Sequence, residues 1–265
     1  GLSAITMVFG GHSNVLQARQ LVSERMNAVA ATLPAGVLPP KLLPLTTATS
    51  VVLTIGLTSK TQSLMELHDI AEWMVKPQLL SVPGVADAIV FGGHTRQLQI
   101  QVDPDKLAHY GLSIQEVIAA ARTSTGVRGA GFIENANQRI TISTDGQITT
   151  PKALAGVVLR WSHGAGIRMG DVATVAYAPA PAVGAASIMG KPGVMIVLES
   201  QYGTNTLTVT NRLERTLATL KPVLARQDVD LEPDVFRPAN FIVEATNHLR
   251  TALLIGTILV IAILF

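Results

Sequence analysis

Apolar positions along this chain fall into two alternating rhythms. The segment 2–9 alternates like a strand, and Gly10-Gly11-His12-Ser13 reads as a turn ending in a candidate N-cap. Ala18, Leu21, Val22, Met26, Val29 and Leu33 then recur at helical spacing until Leu33-Pro34-Ala35-Gly36 stops the helix. The proline-rich stretch 37–44 reads as a rigid crossover. Residues 49–58, TSVVLTIGLT, are rich in β-branched side chains and predict a strand. Ser63 and Glu66 form a capping box that opens a helix whose Leu64, Leu67, Ala71, Met74 and Val75 share a face. The stretch SVPGVADAIVFGG then predicts a turn and a returning strand.

The same strand–helix–strand pattern recurs from Gly193 onward. GVMIVLES at 193–200 predicts a strand, Thr204 or Asn205 a helix cap, and Leu213, Leu217, Leu220 and Leu224 a buried helical face; 229–236 predicts the return strand. Two βαβ passages in one chain predict an α+β, ferredoxin-like split βαβ layer. The roughly hundred residues between them are too many for a loop, so they predict a small inserted α/β unit. Within it Leu98, Ile100 and Val102 face one way; Asp103-Pro104-Asp105-Lys106 starts a short helix ended by Tyr110-Gly111; Ser113 and Glu116 form a second capping box. Residues 126–144 predict a hairpin with Asn135-Ala136-Asn137 at its tip. Strands are expected around 157–161, 167–169 and 172–177, and Ala178-Pro179-Ala180-Pro181 as the return linker.

Composition narrows the function classes. The net charge is +2, with 14% charged residues and no basic block, which argues against nucleic-acid binding. There is no cysteine, so neither a disulfide framework nor a thiolate metal site is available. The mean hydropathy of +0.38 is high for a soluble domain. Part of that excess lies after Arg250, where fifteen residues carry no charge. A membrane-crossing helix needs about 20 apolar residues, so this run predicts the start of one. Together with an opening at Gly1 that already alternates, it leads us to expect a segment of a larger protein.

Candidate chemistry is sparse. His12, His68, His94, His109, His163 and His248 show no pair at three- or four-residue spacing, and the solvated-face reading is favoured for His68 with Asp69 and Glu72 over weak cation binding. Met7, Met26, Met65, Met74, Met169, Met189 and Met195 are scattered, and packing is favoured over a thioether path. The metal-ligand set is left unassigned. Gly10-Gly11, Gly92-Gly93 and Gly129-Ala130-Gly131 are turn signals, not phosphate loops. Ser13, Ser63 and Ser113 read as caps, and no carboxylate pair has a setting for acid–base work. No catalytic residue or cofactor is expected.

Five stretches resemble, in order, the N-terminal periplasmic region of resistance-nodulation-division efflux pumps, and most closely their heavy-metal branch. They are ARQLVSERMNAVAATLPAGV at 18–37, VPGVADAIVFGG at 82–93, QLQIQVDPDKLAHYGLSIQEVIAA at 97–120, MGDVATV at 169–175 and FRPANFI at 236–242. The resemblance implies the second half of a first porter subdomain at 1–44, a second porter subdomain at 45–95 and 179–238, a docking subdomain at 96–178, and the start of a second transmembrane helix at 239–265. Phe236 to Phe241 would lie at the water–membrane boundary, where an aromatic ring and a cation anchor a helix. The resemblance further implies a homotrimer in the bacterial inner membrane, mostly periplasmic here, working with a periplasmic adaptor (membrane fusion) protein and an outer-membrane channel. Its drive would be proton antiport through carboxylates of other helices, and its substrate a metal cation or small molecule. In that family the docking unit reaches into the neighbouring protomer, which points to Val127, Arg128, Phe132 and Ile133 as interprotomer contacts. The competing reading is a ferredoxin-like ligand-binding or sensor module tethered to the membrane by one helix.

Overall fold

A computed structural model describes residues 3–10, 14–30, 32–34, 37–44, 50–125, 129–135, 138–143, 148–162, 164–182 and 184–264, with side-chain surroundings described outside 126–147. The strand expected at 2–9 is not formed over 3–10, which pairs with no other strand among the described residues. A strand needs a neighbour to take up its backbone donors and acceptors, and alternation alone does not supply one. Helix α1 (Val15–Ala30) forms as the spacing predicts. Ser13, the expected cap, lies outside the described residues, and Asn14 Oδ1 accepts from the amides of Leu16 and Gln17 at 3.0 and 3.3 Å. None of its residues is buried: Leu21 and Val29, read as inward-facing, are exposed.

Strand β1 (Val51–Ser59) is buried from residue 52 to 58. Ser63 then caps α2 (Leu64–Ile70) through the expected box: its amide donates to Glu66 Oε2 at 2.9 Å and its Oγ accepts from the Glu66 amide at 3.2 Å. The helix continues through one π turn at Ala71–Val75 into α3 (Lys76–Leu80), and β2 (Val85–Gly92) returns. Leu67, Ala71, Val75 and Leu79 all face the core, so the π turn is absorbed without losing the buried stripe.

The chain then builds a second cluster. It runs through β3 (Arg96–Val102), α4 (Pro104–His109), α5 (Ile114–Thr125), β4 (Gly129–Asn135), β5 (Gln138–Ser143), α6 (Pro151–Ala155), β6 (Val158–Ser162), β7 (Ala165–Arg168), α7 (Met169–Val172) and β8 (Ala173–Pro179). Asp103 caps α4, Gly111 ends that turn at φ +61°, and the Ser113–Glu116 box opens α5. Leu98, Ile100 and Val102 pack with Leu107, Val117, Leu154 and Met169. Met169 and Val172 were expected in strands; they instead begin and end a single helical turn, set by Asp171 Oδ2 accepting from the Arg168 amide at 2.7 Å. Strands β3 and β8 pair antiparallel along their whole length, from Arg96 opposite Pro179 to Val102 opposite Ala173.

Beyond Pro179 come β9 (Ala186–Ile188), β10 (Lys191–Ser200), α8 (Thr206–Ala225), β11 (Val229–Phe236) and α9 (Ala239–Leu264). Met189 and Gly190, at φ +50° and +80°, close the β9–β10 hairpin in the left-handed backbone region, which lets a two-residue turn match the right-handed twist of its strands. Asn205 caps α8, accepting from the Thr208 amide at 3.0 Å.

The main sheet has the order β11-β1-β10-β2, with β9 on β10, and every pairing is antiparallel. Each βαβ passage therefore places its two parallel strands around one strand of the other passage, which is the ferredoxin-like interleaving expected. Thr54 lies opposite Val197 in this shared sheet. Leu213, Leu217, Leu220 and Leu224 of α8 join Leu67, Val75 and Leu79 over Leu53, Ile55, Ile196 and Leu198 to form one core. On the sheet, Ile188 lies across Gly56 and Gly193, where an added Cβ would stand 2.5 and 3.0 Å from its side chain.

Candidate functional site

The two cores meet where β2 passes into β3, and a polar cluster occupies that junction. Gly92 and Gly93 turn the chain at φ +77° and +69°. His68 Nδ1 stands 3.0 Å from the Gly92 carbonyl. A carbonyl only accepts, so Nδ1 carries the proton of this bond. Asp69 pairs with Arg96 at 2.6 Å, and the Arg96 guanidinium lies 5.5 Å from the centre of the Tyr177 ring on β8. Tyr177 in turn donates to the Thr149 carbonyl at 2.8 Å. Arg96 thus bridges the helix of one core and the β3–β8 ribbon of the other. Periodicity carried no sign of this, because the partners come from separate passages of the chain.

Beside the junction lies an open cleft of about 590 Å³, lined by His68, Asp69, Ile70, Glu72, Trp73, Met74, Thr95 and Arg96. Trp73, on the π turn, is 78% exposed at its rim. The three groups considered together as a weak cation site go to different partners: His68 to Gly92, Asp69 to Arg96, and Glu72 to Lys76 at 2.5 Å. Among the described residues no group of three histidine, aspartate or glutamate side chains converges as a metal site. Met169 is fully buried in the second core, whereas Met189 is 79% exposed at its hairpin turn.

Of the four residues proposed to touch a neighbouring protomer, Val127 and Arg128 lie outside the described residues. Phe132 and Ile133 lie on β4, opposite Thr141 and Ile140 of β5 in an antiparallel hairpin. The hairpin tip at 136–137 is likewise outside the described residues, flanked by the pair Asn135 and Gln138.

At the other end of the sheet, α9 is 26 residues long and apolar enough to cross a membrane by length and composition. Its start is held to the sheet unit. Arg237 Nε donates to Glu214 Oε1 at 2.5 Å, Arg237 Nη1 donates to Asn240 Oδ1 at 2.5 Å, and the rings of Phe236 and Phe241 lie 6.5 Å apart. The expected boundary cation is thus engaged with α8. The hydrogen bond to Glu214 raises the Arg237 pKa above its ordinary value, against a smaller opposing effect of burial.

Comparison with known proteins gives a consistent picture. The family model described as AcrB/AcrD/AcrF matches residues 1–265. Protein HelA of Legionella pneumophila is 33% identical over all of this chain and 26% of its own length. The cobalt-zinc-cadmium resistance protein CzcA of Cupriavidus metallidurans is 27% identical over the same shares of each. A crystal structure of a heavy metal efflux pump superposes with a TM-score of 0.76 and 26% identity, covering 91% of this chain and 24% of the pump. The chain therefore spans about a quarter of the length of these relatives.

Proposed function

The chain belongs to the AcrB/AcrD/AcrF family, and from that premise we propose that it forms the periplasmic porter and docking part of a proton-driven efflux pump that exports heavy-metal cations. The observation that carries this reading is the interleaved sheet. Its two βαβ passages are separated by a second packed cluster, and its last strand runs directly into a long apolar helix. A tethered sensor of ferredoxin type requires neither the interruption nor similarity along the whole chain to CzcA, a protein named for cobalt, zinc and cadmium resistance.

On this reading residues 1–44 complete a first porter subdomain, 45–95 with 179–238 form the second, 96–178 dock, and 239–265 start a transmembrane helix. The exposed stripe of α1 is consistent with a helix completed by another part of the pump. Rigid packed units joined at short junctions suit hinge or shear motion, since packed interfaces switch between arrangements instead of deforming. The part serves transport, not catalysis: it binds and passes a substrate while protons cross elsewhere. It acts in a trimer in the bacterial inner membrane, with an adaptor and an outer-membrane channel as partners. The β4–β5 hairpin, with Val127, Arg128, Phe132 and Ile133, reaches the neighbouring protomer.

Cells lacking the gene for the full protein are expected to accumulate more of at least one divalent or monovalent metal than cells that carry it. Elemental analysis across a panel of such metals checks this; unchanged contents throughout would defeat cation export.

A further inference from the structure

Strand β11 still pairs with β1 at its last residue, Phe236 opposite Thr54, and α9 begins at Ala239. Only Arg237 and Pro238 carry the chain from sheet to helix. Neither has the freedom of a linker. The proline ring fixes its own φ and pushes the preceding residue toward extended conformations. Ala239 is fully buried, and the amides of Asn240 and Phe241 bond back to the carbonyls of Arg237 and Pro238, both at 3.1 Å.

The arginine side chain closes this joint from outside. Its planar fork points donors in fixed, separate directions: one reaches Glu214 in the middle of α8, the other Asn240 in the first turn of α9. Glu214 follows Leu213, which is wholly buried in the main core, so its backbone is as fixed as the sheet itself. The guanidinium side chain is 20% exposed, which limits competition from water. The rings of Phe236 and Phe241 meet across the same corner, tilted 52° to one another. A helix on a flexible tether can tilt and leave the sheet behind. One gripped in this way cannot.

We propose that Arg237, through Glu214 and Asn240, is the positioning residue of a rigid joint that makes α9 and the main sheet unit move as one body. Displacement of the helix is then delivered to the strands without loss. The proposal rests on the reading of α9 as a membrane-crossing helix of an efflux pump. A lysine at 237 would keep the charge but lack the planar fork that aims one donor at each partner, so charge alone does not make the joint.

The test uses the full-length protein in lipid, without native cysteines, carrying spin labels at Ala218→Cys on α8 and Asn247→Cys on α9. Pulsed dipolar spectroscopy is expected to give one narrow distance distribution. Arg237→Gln and Glu214→Gln should broaden it, Arg237→Lys should broaden it less, and the exchange of Glu214→Arg with Arg237→Glu should narrow it again. Efflux by Arg237→Gln, at equal amounts of folded protein in the membrane, should fall on the order of tenfold, the scale of a lost charge-assisted hydrogen bond. A purely structural role would lower the amount of folded protein without lowering efflux at equal amounts of it. A broad distribution in the unaltered protein, or a narrow one in Arg237→Gln, overturns the joint. So does a broadened distribution with efflux unchanged. If the unaltered protein moves no metal, the efflux reading fails, while the distances still decide whether the joint is rigid.

Discussion

A methyl group has no room at Gly193. A Cβ there would stand 2.5 Å from the Leu57 carbonyl oxygen of the paired strand, and backbone yields far less than a flexible side-chain end. Gly193→Ala is therefore expected to destabilise the main core by about 1–3 kcal/mol. Gly184→Ala, with open space at its Cβ, should change stability by less than about 0.5 kcal/mol; urea melts of both variants check the contrast. Glu116 makes a second residue-scale case. The Ser113 amide, then Arg160 and the Ser113 hydroxyl, hold its carboxylate down to a pKa of about 2 from an ordinary 4.5. A depressed carboxylate pKa contributes stability that is full above the unfolded value and is lost as protons bind the folded one. The second core should thus weaken as pH falls from 4.5 toward 2. Glu116→Gln, which still caps α5, should flatten that limb when Trp161 fluorescence is followed with Trp73 replaced by Phe. Both capping boxes were legible in the sequence because they are local, four residues read in order. Arg160, which also reaches the Gly111 carbonyl at 3.0 Å, was not, since it arrives from β6 through tertiary folding.

Helices α1 and α8 show what periodicity can and cannot say at the scale of elements. Both stripes were read from the same 3.6-residue rule, and both helices form. Burial, however, belongs to the pair of surfaces. Helix α8 buries Val209, Thr210, Leu213, Leu217, Leu220 and Leu224, whereas α1 buries none of its residues. In the isolated 265-residue chain held in detergent, amides of α1 should exchange with solvent orders of magnitude faster than those at the centre of α8. Equal protection, measured by mass spectrometry, would mean that α1 has found a cover. The segment 3–10 fails as a strand for the same reason, lacking a partner among the described residues. Other omissions have a different origin. Helices α6 and α7 span five and four residues, too few for a period to register. The β9–β10 turn puts a methionine where sequence rules look for asparagine or glycine.

At the scale of the whole molecule, the interleaved order β11-β1-β10-β2 was legible because the strand–helix–strand pattern is written twice with matching apolar faces. The hairpin's proposed role belongs to this scale as well, since it concerns the assembly. With the full-length protein in its native membrane and its other cysteines replaced, Phe132→Cys and Ile133→Cys are each expected to give dimer and trimer bands with a short reagent that joins the new thiol to a lysine of the neighbouring protomer. Arg215→Cys on α8 serves as the comparison, and absence of linked species from both hairpin variants would sink the interprotomer assignment. The contact that crosses between the two cores, Asp69 with Arg96, left no trace in the sequence because it depends on how finished units abut. The antiparallel ribbon of β3 and β8 has one more bearing. Its first and last residues, Arg96 and Pro179, sit side by side, so the chain leaves the sheet and comes back at practically the same point. Evolution, or a protein engineer, can therefore trade everything beyond that neck for another lobe of different shape while the strands beneath keep their order.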